Sequence, residues 1–179
     1  RQLLYDYCEQ NEVPYSKCGK LIVATNREEE KQLSSILVRA ENNGVTSGKH
    51  ITREEAETLE PNIKTLSALH FPESGIVDSH GLMKELEKEA GRNGVEMAYN
   101  NEVTALRKIS EGYEVTVKDA EGDFTFSTGN VINSAGLGAY DISGLMGADD
   151  PSYQYHFWKG EYWGVGNGKG KLVSRLIYP

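Results

Sequence analysis

The stretch ALHFPESGIVDSHGLMKELEKEAGRNGVEM, residues 68–97, carries the decision about fold class, because it reads as strand, loop, helix and strand in one continuous unit. ALHF is short and apolar. After the loop, Leu82, Met83, Leu86 and Ala90 fall on one face of a helix. Ser79 or Asp78 can cap its start and Gly94 can close its end. Glu96 to Asn100 reads as the strand that follows, so a βαβ-like unit is expected here.

Beyond Glu102 the hydrophobic period changes from helical to alternating. EVTALRKI, YEVTVKD and DFTFST read as three strands of a meander, joined by SEG and AEG loops in which glycine supplies a positive φ. NVINSAG then returns to a continuous apolar run, the pattern of a strand covered on both faces. It stops in Ser134, Ala135, Gly136, Gly138 and Ala139, whose small side chains let a second body approach the backbone. That body could be a neighbouring helix or a ligand. Tyr140 to Met146 reads as a short helix.

On the N-terminal side, Leu3, Leu4 and Tyr7 suggest the tail of an amphipathic helix ending near Asn11, and KLIVAT, residues 20–25, reads as a buried strand. Leu33, Ile36, Leu37 and Ala40 give a surface helix over residues 27–43, closed by Gly44. Thr52 and Glu55 have the spacing of a capping box for a short helix that Pro61 ends. On the C-terminal side, YQYHFWKGEYWGV and KLVSRLIY read as two aromatic-rich strands joined by GNGKGK. The fold class expected is therefore α+β, or mixed α/β.

The 179 residues carry 27 acidic and 19 basic side chains, a formal charge of −8. No concentrated basic face is visible, so a nucleic-acid partner is not expected. No apolar run approaches the roughly 20 residues that span a bilayer. A cytoplasmic protein is expected, or one peripheral to the membrane, with Cys8 and Cys18 reduced. No two histidines have metal-binding spacing and no GxSxG elbow occurs, so neither a metal centre nor a hydrolase is expected. The chain opens inside a helical pattern and stops after a strand-like run, which suggests a piece of a longer protein.

Five segments in this order, KCGKLIVAT, SGIVDSHGLMKEL, NNEVTAL, VINSAG and KGEYW, resemble the FAD-dependent oxidoreductases of the D-amino-acid-oxidase type. The similarity is greatest to the L-2-hydroxyglutarate oxidase and glycerol-3-phosphate dehydrogenase branches. The resemblance implies that residues 1–75 and 148–179 belong to an antiparallel-sheet substrate domain and residues 76–147 to part of the FAD-binding domain. It implies oxidation of a small hydroxy acid such as L-2-hydroxyglutarate by the full-length protein. Glycerol-3-phosphate or an amino acid is the alternative substrate, and a non-enzymatic α+β binding module is the reading from another class. No GxGxxG loop is present to hold the FAD pyrophosphate, so this chain alone is expected to be inactive and not to hold FAD.

The resemblance also supplies candidate residues. Ala135 and Gly136, with Ser134 beside them, would lie next to FAD, and the extended backbone at Val103 would meet its adenine. The plainer alternative is that Val103 is a core strand residue and Gly136 a helix-packing glycine. In YHFWKGEYW, Lys159 is a candidate for attracting an anionic substrate, Tyr162 for a hydroxyl contact and His156 for a base. His70 is a further substrate-side candidate and His80 flanks the same turn, while His50 sits in a polar loop. Lys159 and Glu161 could equally be neighbours on a solvated edge, with the aromatics as sheet packing.

Overall fold

The structure, a computed structural model, describes residues 1–148, 150–161, 166 and 169–179. Two compact units form, one from Arg1–Gly94 with Trp163–Pro179 and the other from Val95–Tyr162.

The first unit starts with helix α1, Gln2–Gln10, and the short strand β1, Tyr15–Ser16. Strand β2, Lys20–Ala24, follows. Helix α2, Arg27–Asn42, is started by Asn26, whose side chain accepts from the amides of Glu28 and Glu29. Strand β3 spans Lys49–Thr52 and helix α3 spans Arg53–Leu59. The capping box expected at α3 is present in both directions, from Thr52 to the Glu55 amide and from the Thr52 amide to the Glu55 carboxylate. Strands β4, Ser67–Phe71, and β5, Ile76–Val77, lead into helix α4, Ser79–Arg92, which Asp78 caps.

The main sheet has the order β3-β4-β2-β9, where β9 is Leu176–Tyr178. Strand β9 runs parallel to β2, and the other two pairings are antiparallel. Each face of this sheet buries its own cluster. Leu21, Val23, Ile51, Ala56 and Ala68 pack on the α3 side, and Ala24, Leu33, Leu69 and Phe71 pack under α2. Strand β1 pairs with β5 beside this sheet, where Gly75 is a steric necessity. A β-carbon there would sit inside contact distance of the Ser16 carbonyl and the Tyr5 hydroxyl.

The second unit holds the expected meander: β6, Glu102–Ile109, β7, Gly112–Lys118, and β8, Asp123–Thr128, in the order β6-β7-β8. Both turn glycines have the positive φ expected of them, Gly112 at +112° and Gly122 at +131°. A single 3-10 turn, Gly136–Gly138, and helix α5, Ala139–Gly144, follow.

Three expectations are corrected. Residues 95–100 form no strand, so the βαβ-like unit is incomplete. Residues 130–135 form none either, and Ile132 is 88% exposed. A strand needs a ladder partner for its amides and carbonyls, and neither segment has one among the described residues. Helix α4 forms as expected and buries none of its residues, with Leu82 and Ala90 half-buried and Met83 and Leu86 exposed. Among the described residues the aromatic hairpin does not appear: residues 154–161 are irregular, and only Leu176–Tyr178 of the last run is a strand, paired with β2 instead, while residues 162–165, 167 and 168 of the expected hairpin lie outside the described residues. Strand β3 was not expected at all. No helix among the described residues is long and apolar enough to cross a membrane.

Candidate functional site

A groove of about 600 Å³ opens in the second unit where the start of β6 faces the turn before α5. Asn101, Glu102, Val103 and Thr104 form one wall, and Ala135, Gly138, Asp141, Ile142 and Leu145 the other. On the strand side the chain enters through Asn100 at φ +58°, a conformation asparagine tolerates better than most residues. A β-bulge follows, since Val103 lies opposite Val117 while Ala105 lies opposite Thr116. The extra residue shifts the alternation, so Val103 and Leu106, opposite Val117 and Val115, share one face of the sheet, with Leu106 buried and Val103 half-exposed beside the groove. Strand β6 is an edge of its sheet, with no strand on its outer side among the described residues.

The other wall is held by Asn133. Its Oδ1 accepts from the Ala135 amide at 3.2 Å, and its Nδ2 donates to the Ala139 carbonyl at 2.8 Å and to Ser143 Oγ at 3.2 Å. One side chain thus fixes the turn and the first residues of α5 together. Gly136 has φ +57° and open space where a β-carbon would stand, so the backbone conformation, not packing, calls for glycine there.

Of the four residues expected near FAD, Val103 and Ala135 line the same groove. Ser134 and Gly136 are exposed in the adjoining turn. Asp141, Ile142 and Leu145 are groove residues that sequence reasoning missed, although their spacing along a helix that follows a run of small residues is a usable signal. Two carboxylates, Glu102 and Asp141, border the groove, and among the described residues no cation does. Such a lining accepts hydrogen bonds from hydroxyl and amino groups and disfavours phosphate. The residues therefore fit the nucleoside end of a dinucleotide. Its pyrophosphate would need donors from elsewhere.

The substrate-side candidates do not form one cluster. Lys159 Nζ pairs with Glu161 Oε1 at 3.1 Å, and the lysine side chain is 83% exposed. This is the solvated neighbour arrangement. His156 is exposed in an irregular segment between Tyr155 and Phe157, whose rings meet edge to face. Tyr162 lies outside the described residues. His70 belongs to the other unit, on β4, with Leu21 and Lys49 as its cross-strand partners. Burial, and then the charges of Arg175 and Lys49, push its imidazole below the ordinary histidine value. It is neutral at pH 7 and can accept a proton. His50 and His80 are exposed, and no group of three metal-ligating side chains occurs among the described residues.

The first unit also contains a charged node that sequence reasoning missed. Glu60, at the end of α3, has a side chain only 3% exposed. Its carboxylate accepts from the Ser174 amide at 3.0 Å, from Ser174 Oγ at 2.5 Å and from Arg175 Nη1 at 3.1 Å. Burial pushes its carboxyl up, but the hydrogen bonds from Ser174 and the Arg175 guanidinium outweigh this and hold it below the usual carboxylate range.

Comparison with known proteins gives a consistent picture. The family model described as "FAD dependent oxidoreductase" matches residues 1–179. The mitochondrial L-2-hydroxyglutarate dehydrogenase of Arabidopsis thaliana is 30% identical over 208 residues, covering 100% of this chain and 43% of that protein. Its Caenorhabditis elegans counterpart is 33% identical over 181 residues, covering 99% and 41%. Among solved structures, the FAD-bound L-alpha-glycerophosphate oxidase of Mycoplasma pneumoniae superposes with a TM-score of 0.66 at 26% identity, covering 75% of this chain and 36% of that one. The chain thus spans less than half the length of these relatives.

Proposed function

The chain belongs to the family of FAD-dependent oxidoreductases, and from that premise we propose that the intact protein oxidises a small 2-hydroxy acid, L-2-hydroxyglutarate first, to the keto acid. The observation that carries the reading is the convergence of Val103 and Ala135, 32 positions apart in sequence (135 − 103), on one open groove. Residues 76–147 would contribute to the cofactor-binding half, and residues 1–75 with 148–179 to the substrate half.

In this reading FAD, when bound, supplies the hydride acceptor. The chain's own residues hold and orient. The outer edge of β6 at Val103 offers amide and carbonyl groups to the edge of a heterocycle. Glu102 and Asp141 accept from ribose hydroxyls or an exocyclic amine. Ala135, Ser134 and Gly136 keep the opposite wall low, so that a cofactor can lie along the backbone. On the substrate side, neutral His70 is the candidate to take the hydroxyl proton, with Lys49 beside it to attract a carboxylate. Lys159 serves the substrate only if it exchanges Glu161 for it, and His156 and Tyr162 are further candidates on the same segment.

The test uses the intact protein. It should purify with a flavin spectrum, and anaerobic L-2-hydroxyglutarate should bleach that spectrum stoichiometrically. A protein that neither carries nor takes up flavin would overturn the reading, as would a flavoprotein that no 2-hydroxy acid reduces.

A further inference from the structure

A second cavity, of about 330 Å³, lies in the first unit between α1 and the strands around β2. Its size is at the lower end for small-molecule sites, roughly 300–1,000 Å³. Tyr5 and Cys8 of α1 line it, with Lys20 of β2, Ile76 of β5, and Leu176 and Tyr178 of β9. Arg1 also reaches it. Among the described residues no acidic side chain lines this cavity, although the chain carries 27 acidic side chains against 19 basic ones.

The two cations differ in how they are balanced. The Arg1 guanidinium is paired with the Glu73 carboxylate. Lys20 has no carboxylate partner among the described residues. Its ammonium stands 5.5 Å from the ring centre of Tyr178 and 5.6 Å from that of Phe71. Two aromatic faces hold a cation in place while leaving its three N–H donors available. Those donors stand at a cavity whose remaining walls are mostly apolar. A fully hydrated inorganic ion gains nothing from such walls, whereas an organic anion fills them with its hydrocarbon part and meets the ammonium with its charge.

We propose that this cavity binds a small aliphatic carboxylate, with Lys20 as its anchor. The inference does not depend on the redox reading, because it rests on the charge and shape of the first unit alone.

Calorimetric titration of the intact protein with glutarate, beside its uncharged counterpart glutaramide, tests it. Glutarate should bind at a Lys20-dependent site, beside any binding at the hydroxy-acid site, and glutaramide should not bind there. Lys20→Met should weaken glutarate about tenfold or more, the cost of removing one charged hydrogen-bond partner. Lys20→Arg should stay within about threefold of the wild type, since arginine keeps the charge and stacks on aromatic rings. Equal glutarate affinity in Lys20→Met, or no glutarate binding by the wild type, overturns the proposal. If Lys20→Met fails to fold, protection of Cys8 in the wild type decides. Glutarate, but not glutaramide, should slow alkylation of Cys8, which is 1% exposed and lines the cavity; an unchanged rate overturns the assignment. Flavin bleaching by hydroxy acids is read separately, so failure of either idea leaves the other distinguishable.

Discussion

Replacing Glu60 by glutamine changes almost no volume and removes one buried charge, so it isolates the node that ties the end of α3 to the segment before β9. In the wild type, the carboxylate accepts from the Ser174 amide, the Ser174 hydroxyl and Arg175. Breaking a buried ion pair by removing one partner costs about 3–5 kcal/mol when the survivor stays buried. Arg175 is 26% exposed and also donates to the Leu59 carbonyl at 2.8 Å, so it recovers part of this from water and backbone. The glutamine carbonyl can keep one Ser174 bond. A loss of about 2–3 kcal/mol follows. The assay is urea unfolding of the intact protein together with native-state hydrogen exchange. The local signature matters most: amides of Leu176, Ile177 and Tyr178 should lose protection, while those of Val23 and Leu69 in the centre of the sheet keep theirs. A destabilisation below about 0.5 kcal/mol, the scatter of ordinary surface substitutions, would refute the reasoning, as would unchanged protection of β9.

Four further outcomes are expected. Acidification from pH 7 to 5 should destabilise the wild type more than His70→Gln. The depressed value of His70 means that the unfolded chain binds the proton more readily, so this contribution is present above the unfolded histidine value near 6.5 and is lost as pH falls toward the folded one. The Glu60 contribution is lost only lower, as pH falls past the unfolded carboxylate value near 4.3 and through the folded one, so acid unfolding curves of wild type and Glu60→Gln should converge there. Gly75→Ala should cost about 1–3 kcal/mol in urea unfolding, because its β-carbon forces the Ser16 carbonyl and the β1–β5 pairing apart; a neutral result would contradict the packing described. Ala135→Leu fills the groove from an exposed position, so flavin affinity should fall about tenfold or more while the unfolding midpoint stays near wild type, and flavin content separates the two.

Legibility in the sequence followed how local each determinant is. The α3 capping box, the α1, α2 and α4 boundaries and the three meander strands are written in neighbouring residues, and these formed as expected. Strand β3 was invisible because KHIT has one buried residue, Ile51, and owes its conformation to the ladder with β4. Residues 96–100 and 130–135 erred in the opposite direction. Their apolar pattern records a preference for burial, and a pattern cannot report whether a partner strand is at hand. The direction of β9 was likewise unreadable, since only contacts with distant β2 make it parallel. At the groove, Val103 and Ala135 were reached through family resemblance, while Asn133, the residue that braces the turn, was passed over as one polar letter in an apolar run.

The joining of β9 to β2 sets an order of events during synthesis. Ser174 meets Glu60 across 114 positions, and closing a flexible loop of that length costs about 4 kcal/mol from length alone. On the ribosome, β2, β3 and β4 can assemble with α2 long before the segment bearing Ser174 has left the exit tunnel. Until then the β2 edge waits with its amides open to solvent, and a nascent chain stalled at that stage is the form that a chaperone would hold.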